Sequence, residues 1–247
     1  MKNKTKIPKI IHYVWVGGNP LTKSAKRIIK SWEKYCSDYQ IMRWNENNFD
    51  MNSYLYAREA YNSKKFAFVS DVIRLHALYE FGGIYMDTDV EVLKSLDPFL
   101  NDDAFSGFET NTHIPTGIIG AKKGHAFIKE LLNWYIGKKF INSDGTFNLS
   151  TNVLIMTEEF RKKGLLFNDK KQTINDFTLY PRTFFCPIRP VGFENHFSKQ
   201  TSTIHWFNGS WLDENKSFRR EIIKWGFRYK LTRKIWNILD LLKKLDA

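Results

Sequence analysis

Phe81-Gly-Gly-Ile-Tyr-Met-Asp-Thr-Asp-Val-Glu91 decides the fold. A two-glycine turn feeds a short apolar run, and the run ends in two aspartates one residue apart. Residues i and i+2 of a strand point to the same side. Asp87 and Asp89 would therefore project together from a strand end, where paired carboxylates collect a hard divalent cation such as Mn²⁺ or Mg²⁺. An Asp-x-Asp pair alone is a weak signal. Here Gly82-Gly83 and Tyr85 imply a buried element that delivers charge to a rim, a costly place for idle carboxylates.

Just upstream, the spacing predicts a helix over 67–81, with Lys65 or Ser70 near its start and Gly82 as its stop. Val69, Val72, Ile73, His76 and Tyr79 line an apolar side. Asp71 and Arg74, three apart, share another. On an exposed helix such a pair contributes a few tenths of a kcal/mol; its place just ahead of the aspartates makes it a candidate part of the site.

Ile10–Val16 is a β-rich apolar run closed by Gly17-Gly18-Asn19-Pro20, and it reads as a buried first strand. Val14 and Trp15 lie at its carboxyl end, the side on which open α/β sheets bind ligands. A helix over 23–35, a strand over 39–44 and a helix over 52–61 follow. This β-α-β-α order predicts a mostly parallel sheet flanked by helices. Short strands are expected at 90–93, 104–108, 117–120 and 203–207, and helices at 124–136 and 150–163. Leu179–Pro190 is Pro-rich and reads as an edge or extended loop rather than a central strand.

The 247 residues carry a net charge of +12. Between Lys216 and Ala247, ten Lys/Arg face three acids, which is seven of those twelve charges. Ile235, Ile238, Leu239, Leu242 and Leu245 form an apolar stripe there, the pattern of an interfacial helix. A helix packed on the body with a solvated basic side has the same pattern. We expect a catalytic domain over 1–212 and a basic amphipathic helical tail over 213–247. Cys36 and Cys186 form no CxxC motif, which argues against zinc or a disulfide framework. No secretory signal and no membrane-spanning run is apparent, so the expected place is the cytoplasm, with peripheral attachment to an anionic inner membrane face.

The opening stretch, preceded by Ser70-Asp-Val-Ile-Arg74, resembles the DxD-containing sugar transferases of glycosyltransferase family 32. That group includes yeast mannosyltransferases, the glucosylating domains of large clostridial toxins and bacterial capsular polysaccharide transferases. Ile7-Pro-Lys-Ile-Ile-His-Tyr-Val-Trp-Val-Gly-Gly18 resembles the family's first strand. His205-Trp-Phe-Asn-Gly-Ser-Trp211 resembles its closing segment, so the likeness runs in order over residues 7–211. It implies a GT-A fold, a nucleoside-diphosphate sugar donor (UDP favoured over GDP), a divalent metal, a glycan or lipid-linked glycan acceptor, and retention of configuration.

Residue by residue, the resemblance implies that Trp15 stacks on the nucleotide base with Val14 beside it. Asp71 and Arg74 would hold ribose and donor-sugar hydroxyls, with phosphate as a further partner for Arg74. Tyr85 would border the nucleotide. Asp87 would bridge donor and metal, and Asp89 would ligate the metal. Trp211 would reach the diphosphate or glycosidic oxygen, helped by Ser210. His205 is either a third metal ligand or a buried strand histidine. Thr116 stands where the family often has Asn, and Ser150-Thr-Asn-Val153 where a Thr-Gly-Pro-like helix start is usual, so sugar and acceptor specificity stay open. No carboxylate presents itself as a covalent nucleophile, which leaves front-face substitution as the expected mechanism.

Two other classes also fit parts of the sequence. A non-catalytic protein bound to an anionic surface would account for the charge but not for the buried Gly-Gly…Asp-x-Asp; no nucleic-acid-binding motif is present. A metal-dependent phosphohydrolase or nucleotidyltransferase would also use paired aspartates.

Overall fold

The structure, a computed structural model, describes residues 5–189 and 194–207. Ser210, Trp211 and the basic segment 213–247 lie outside the described residues.

The chain opens with β1 (Ile10–Val14), α1 (Lys23–Tyr35), β2 (Gln40–Trp44), α2 (Leu55–Asn62), α3 (Phe66–Phe81) and β3 (Gly83–Met86). It continues through β4 (Val90–Val92), β5 (Ala104–Gly107), β6 (Ile118–Ala121), α4 (Ala126–Asn133) and α5 (Asn152–Lys162). It ends with β7 (Gln172–Ile174), β8 (Phe177–Tyr180), α6 (Arg182–Phe185), β9 (Ile188–Arg189), β10 (Glu194–Asn195) and β11 (Thr203–His205).

Seven strands form the central sheet in the order β2-β1-β3-β6-β5-β8-β7. Strands β2, β1, β3, β5 and β8 run one way, and β6 and β7 run against them. This mostly parallel sheet with helices on both faces is the GT-A arrangement that the resemblance implied. Each face carries its own core, because strand residues alternate. Trp44, Tyr85, Ile119 and Phe177 meet α2, α3, α4 and α5 on one face. Ile11, Tyr13, Ile84, Met86 and Phe105 meet α1 and α6 on the other.

Local chemistry explains the elements nearest the site. Thr22 starts α1 by accepting the Ala25 N–H (3.1 Å), and Ile28, Ile29 and Trp32 supply its buried side. Helix α3 is buried nearly all round, so the apolar side inferred from spacing was too narrow. Gly82 ends that helix at φ +67°, and a Cβ there would come within 2.6 Å of the Lys123 backbone nitrogen. Gly83 follows at φ +107°, where a Cβ would meet the Ile10 carbonyl oxygen at 2.6 Å. Only glycine turns the chain this tightly from α3 into β3.

Two expectations need correction. The Pro-rich stretch is no edge or loop at its start: β8 pairs with both β5 and β7. Pro181 lies after the strand and begins α6, so it costs no ladder hydrogen bond. The aspartates also do not sit in a strand. Strand β3 stops at Met86, and Asp87–Asp89 forms the turn into β4, closed by the Val90 N–H to Asp87 carbonyl bond (2.9 Å).

Candidate active site

Three segments bring ionisable groups to the carboxyl end of β3. The first is the β3–β4 turn. The Asp87 N–H donates to the Gly117 carbonyl (2.8 Å), which fixes the turn against the loop before β6. The second is β11, which pairs antiparallel with β4 in a separate two-stranded sheet and sets His205 opposite Val90. The third is α3, which supplies Asp71 and Arg74.

Ligand atoms of Asp87, Asp89 and His205 all lie within 4.8 Å of one another. His205 Nε2 is 3.3 Å from Asp89 Oδ1. Its Nδ1 is buried without a nitrogen or oxygen partner, with the Cys186 thiol near the ring. Phe207 stacks on the imidazole at 4.0 Å between centroids. Burial alone would push His205 down, but the charge and hydrogen bond of Asp89, with Cys186, hold it well above the usual histidine range. Two carboxylates and one imidazole are a donor set suited to Mn²⁺, and less well to the all-oxygen preference of Mg²⁺. The residues therefore fit a divalent ion.

Gly117 makes the convergence possible. A Cβ on it would stand 2.8 Å from His205 Cε1 and 3.3 Å from Asp87 Oδ2. The sequence pointed to Gly117 only as the start of a short strand over 117–120, and to its neighbour Thr116 as a departure from the family. The useful signal was a small residue directly ahead of the apolar run that becomes β6.

Asp71 and Arg74 are 6% and 4% exposed, so they are no surface pair. Arg74 NH2 reaches Asp71 Oδ1 at 3.1 Å and Asp87 Oδ1 at 3.4 Å. Its NH1 donates to Thr116 Oγ1 (2.7 Å) and to the Thr116 carbonyl (2.8 Å), and Nε to the Ser70 carbonyl (3.3 Å). The guanidinium lies over the Tyr85 ring, 4.6 Å from its centroid, while the Tyr85 hydroxyl donates to Asp87 Oδ1 (2.7 Å). Burial pushes Asp71 up to about 6, against the pull of Arg74 and the Asn152 N–H. Burial alone would lower Arg74, but Tyr85, Asp87 and Asp71 hold its charge more firmly than usual.

Asn152 and Tyr135 were not among the sequence candidates. The Asn152 N–H donates to Asp71 Oδ2 (3.1 Å) and its side-chain amide to the Asp71 carbonyl (2.7 Å). The Tyr135 hydroxyl donates to Asn152 Oδ1 (2.7 Å). The start of α5 is thereby joined to Asp87 through Asp71 and Arg74. Val14 packs on the same sheet face as Tyr85. Trp15 packs with the opposite core, and its indole N–H donates to the Asn19 carbonyl (2.7 Å).

A carboxylate pair and an imidazole thus meet beyond a parallel strand end, backed by a buried Asp–Arg pair. Residues 22–106 match the family model described as "Glycosyltransferase sugar-binding region containing DXD motif". Inositol phosphoceramide mannosyltransferase 3 of Schizosaccharomyces pombe is 30% identical over 137 residues, covering 51% of this chain and 36% of that protein. Mannosyl phosphorylinositol ceramide synthase CSH1 of Saccharomyces cerevisiae is 27% identical over 142 residues, covering 53% and 38%. The chain thus spans little more than a third of the length of these two relatives. A solved glycosyltransferase involved in glycosylation of the major capsid of PBCV-1 is 17% identical, with a TM-score of 0.49 over 88% of this chain and 99% of that one. Over residues 22–106, which hold the Asp87-Thr-Asp89 stretch, the chain is thus similar to DXD-containing glycosyltransferases.

Proposed function

We propose that the protein moves a hexose, with retention, from a nucleoside-diphosphate sugar to a glycan or lipid-borne glycan acceptor. The observation that carries this reading is the meeting of Asp87, Asp89 and His205 within 4.8 Å, beside the buried Asp71–Arg74 pair. A cation held there would offset the charge that develops on the leaving diphosphate. Asp89 and His205 hold it, and Asp87 is kept in place by Tyr85 and Arg74. Arg74 spends its donors within the protein, so its part is positional. Asp71 is rigidly held by Arg74 and Asn152, as a group that orients a sugar hydroxyl must be.

The names of the relatives favour mannose, whereas the family resemblance favours a uridine nucleotide. A place in surface-polysaccharide assembly at a membrane rests on that resemblance and on the charge of 213–247. Ser210 and Trp211 keep their proposed part at the diphosphate, and Trp15 and Val14 theirs at the nucleotide base. The departing phosphate helps to deprotonate the acceptor in a front-face substitution.

The test is sugar release from radiolabelled uridine- and guanosine-diphosphate hexoses with Mn²⁺. Asp89→Asn is expected to lower turnover by roughly 10²–10³-fold by releasing the cation, the usual loss when a group opposing transition-state charge is removed. Full turnover by that variant in the presence of EDTA would overturn the assignment.

A further inference from the structure

The segment between α4 and α5 carries an apolar face that the transferase site does not use. Phe140 is buried and stacks on Phe147, with centroids 5.0 Å apart. An antiparallel bridge sets Ile141 opposite Phe147, and the Asn142 N–H donates to the Thr146 carbonyl (2.8 Å). Residues directly opposite in such a pair project to the same side. Ile141 and Phe147 are 37% and 40% exposed, and Leu149 and Ile136 on the flanks are 56% and 68% exposed. Single exposed apolar residues are ordinary, but a group on one hairpin and its roots marks an interaction surface.

The charge around this group is basic. The Lys65 ammonium lies over the Phe147 ring at 5.6 Å, and Lys138 lies over Trp134 at 5.3 Å, next to exposed Lys139. The neighbouring acids are already engaged. Glu59 accepts the N–H groups of Phe140 and Ile141 (2.8 and 3.0 Å), and Asp144 accepts from Thr146. Apolar side chains rimmed by lysines match the boundary of a bilayer with anionic headgroups.

We propose that the hairpin over 136–149 docks on an anionic lipid bilayer. Its outgoing arm is tied to α2 by the Tyr56 hydroxyl, which donates to the Asn148 carbonyl (2.9 Å), and runs into Asn152 beside Asp71. A docked hairpin therefore turns the Asp71 side of the site toward the membrane. Delivery of a lipid-borne acceptor there rests on the transferase reading; the docking itself does not.

Cys36 and Cys186 are both buried, so a cysteine placed at Ser143 can be labelled selectively. Full-length S143C with an environment-sensitive dye is mixed with phosphatidylcholine vesicles with or without phosphatidylserine, and K170C on another exposed loop serves as the comparison. Emission at 143 alone is expected to shift to the blue, and only with phosphatidylserine. Adding I141S and F147S should abolish the shift. K138A/K139A should weaken binding about 25-fold, at roughly fivefold per lysine. Sugar release from soluble donor should be unchanged in these variants, so loss of docking and loss of transfer are separable. Flotation with no shift at 143 would assign lipid binding to the basic segment 213–247 and overturn the proposal, as would the absence of flotation. A shift at 143 without vesicles on deleting 213–247 would identify that segment as the occupant and also overturn it.

Discussion

Arg74 is the side chain whose loss should cost most. It lies between Asp71 and Asp87, and removing it strands the carboxylate of Asp71, whose side chain is only 9% exposed. Breaking a buried pair from one side costs about 3–5 kcal/mol. Arg74→Met should lower unfolding free energy by that amount in urea titrations, and Asp71→Asn added to it should recover part of the loss. The sequence placed both residues on one helix side, but their depth was not legible, because α3 is apolar nearly all round and spacing alone cannot say which side is covered.

His12 predicts a response to acid. Its Nε2 is 2.7 Å from the Gly82 carbonyl, and its Nδ1 accepts from the Trp44 indole (3.1 Å). The neutral Nε2–H ring satisfies both partners, and a second proton would face the indole donor. Burial lowers its pKa to about 4 from 6.5. The stabilisation is therefore complete above about pH 6.5 and is lost as pH falls toward 4. At about 1.4 kcal/mol per unit, the loss amounts to roughly 3 kcal/mol. Chemical denaturation from pH 7 to 4 should reveal this slope, and His12→Gln should flatten it.

Among the elements, the turn after β3 does what the sequence assigned to a strand. Alternation would have aimed the two carboxylates together, yet here the turn and the Gly117 carbonyl aim them. Position was legible because the apolar run is short and ends in charge; conformation was not, since a three-residue turn leaves no periodicity. The hairpin β7–β8 was missed for a related reason. Asn175 and Asp176 both have positive φ (47° and 63°), a two-residue turn that asparagine and aspartate tolerate. Pro181 then drew the boundary in the wrong place. The antiparallel insertion of β6 carries Gly117 to the site, and Gly117→Ala should push the imidazole away from the carboxylates. We expect Mn²⁺ affinity by isothermal titration to fall about 10–100-fold, as when a ligand-orienting neighbour is lost, with the melting temperature of the metal-free protein nearly unchanged.

At the scale of the molecule, the mostly parallel sheet flanked by helices agrees with a reading made from a few short stretches. His205 was the part left undecided, because its neighbours in space, Asp87, Asp89 and Gly117, lie far from it along the chain. Ligands should act on the whole fold. Mn²⁺ together with a nucleoside diphosphate at about 100 times its dissociation constant should add roughly 2.7 kcal/mol of stability. Thermal unfolding checks this, and Asp89→Asn should remove the metal-dependent share. Among the described residues, no helix is long and apolar enough to cross a membrane.

The small sheet of β4 and β11 carries one more consequence. Trp206 donates to Glu91 (2.8 Å) across 115 residues of chain, just beyond the pairing that brings His205 to Asp89. A ribosome makes the two carboxylates early and their imidazole partner late. While the intervening helices and strands are being synthesised, the nascent chain holds an acidic turn that lacks its third ligand. On the proposed assignment, full metal affinity would arrive only when β11 emerges and zips onto β4. Synthesis order would thus keep the proposed centre silent until the central sheet around it has been made.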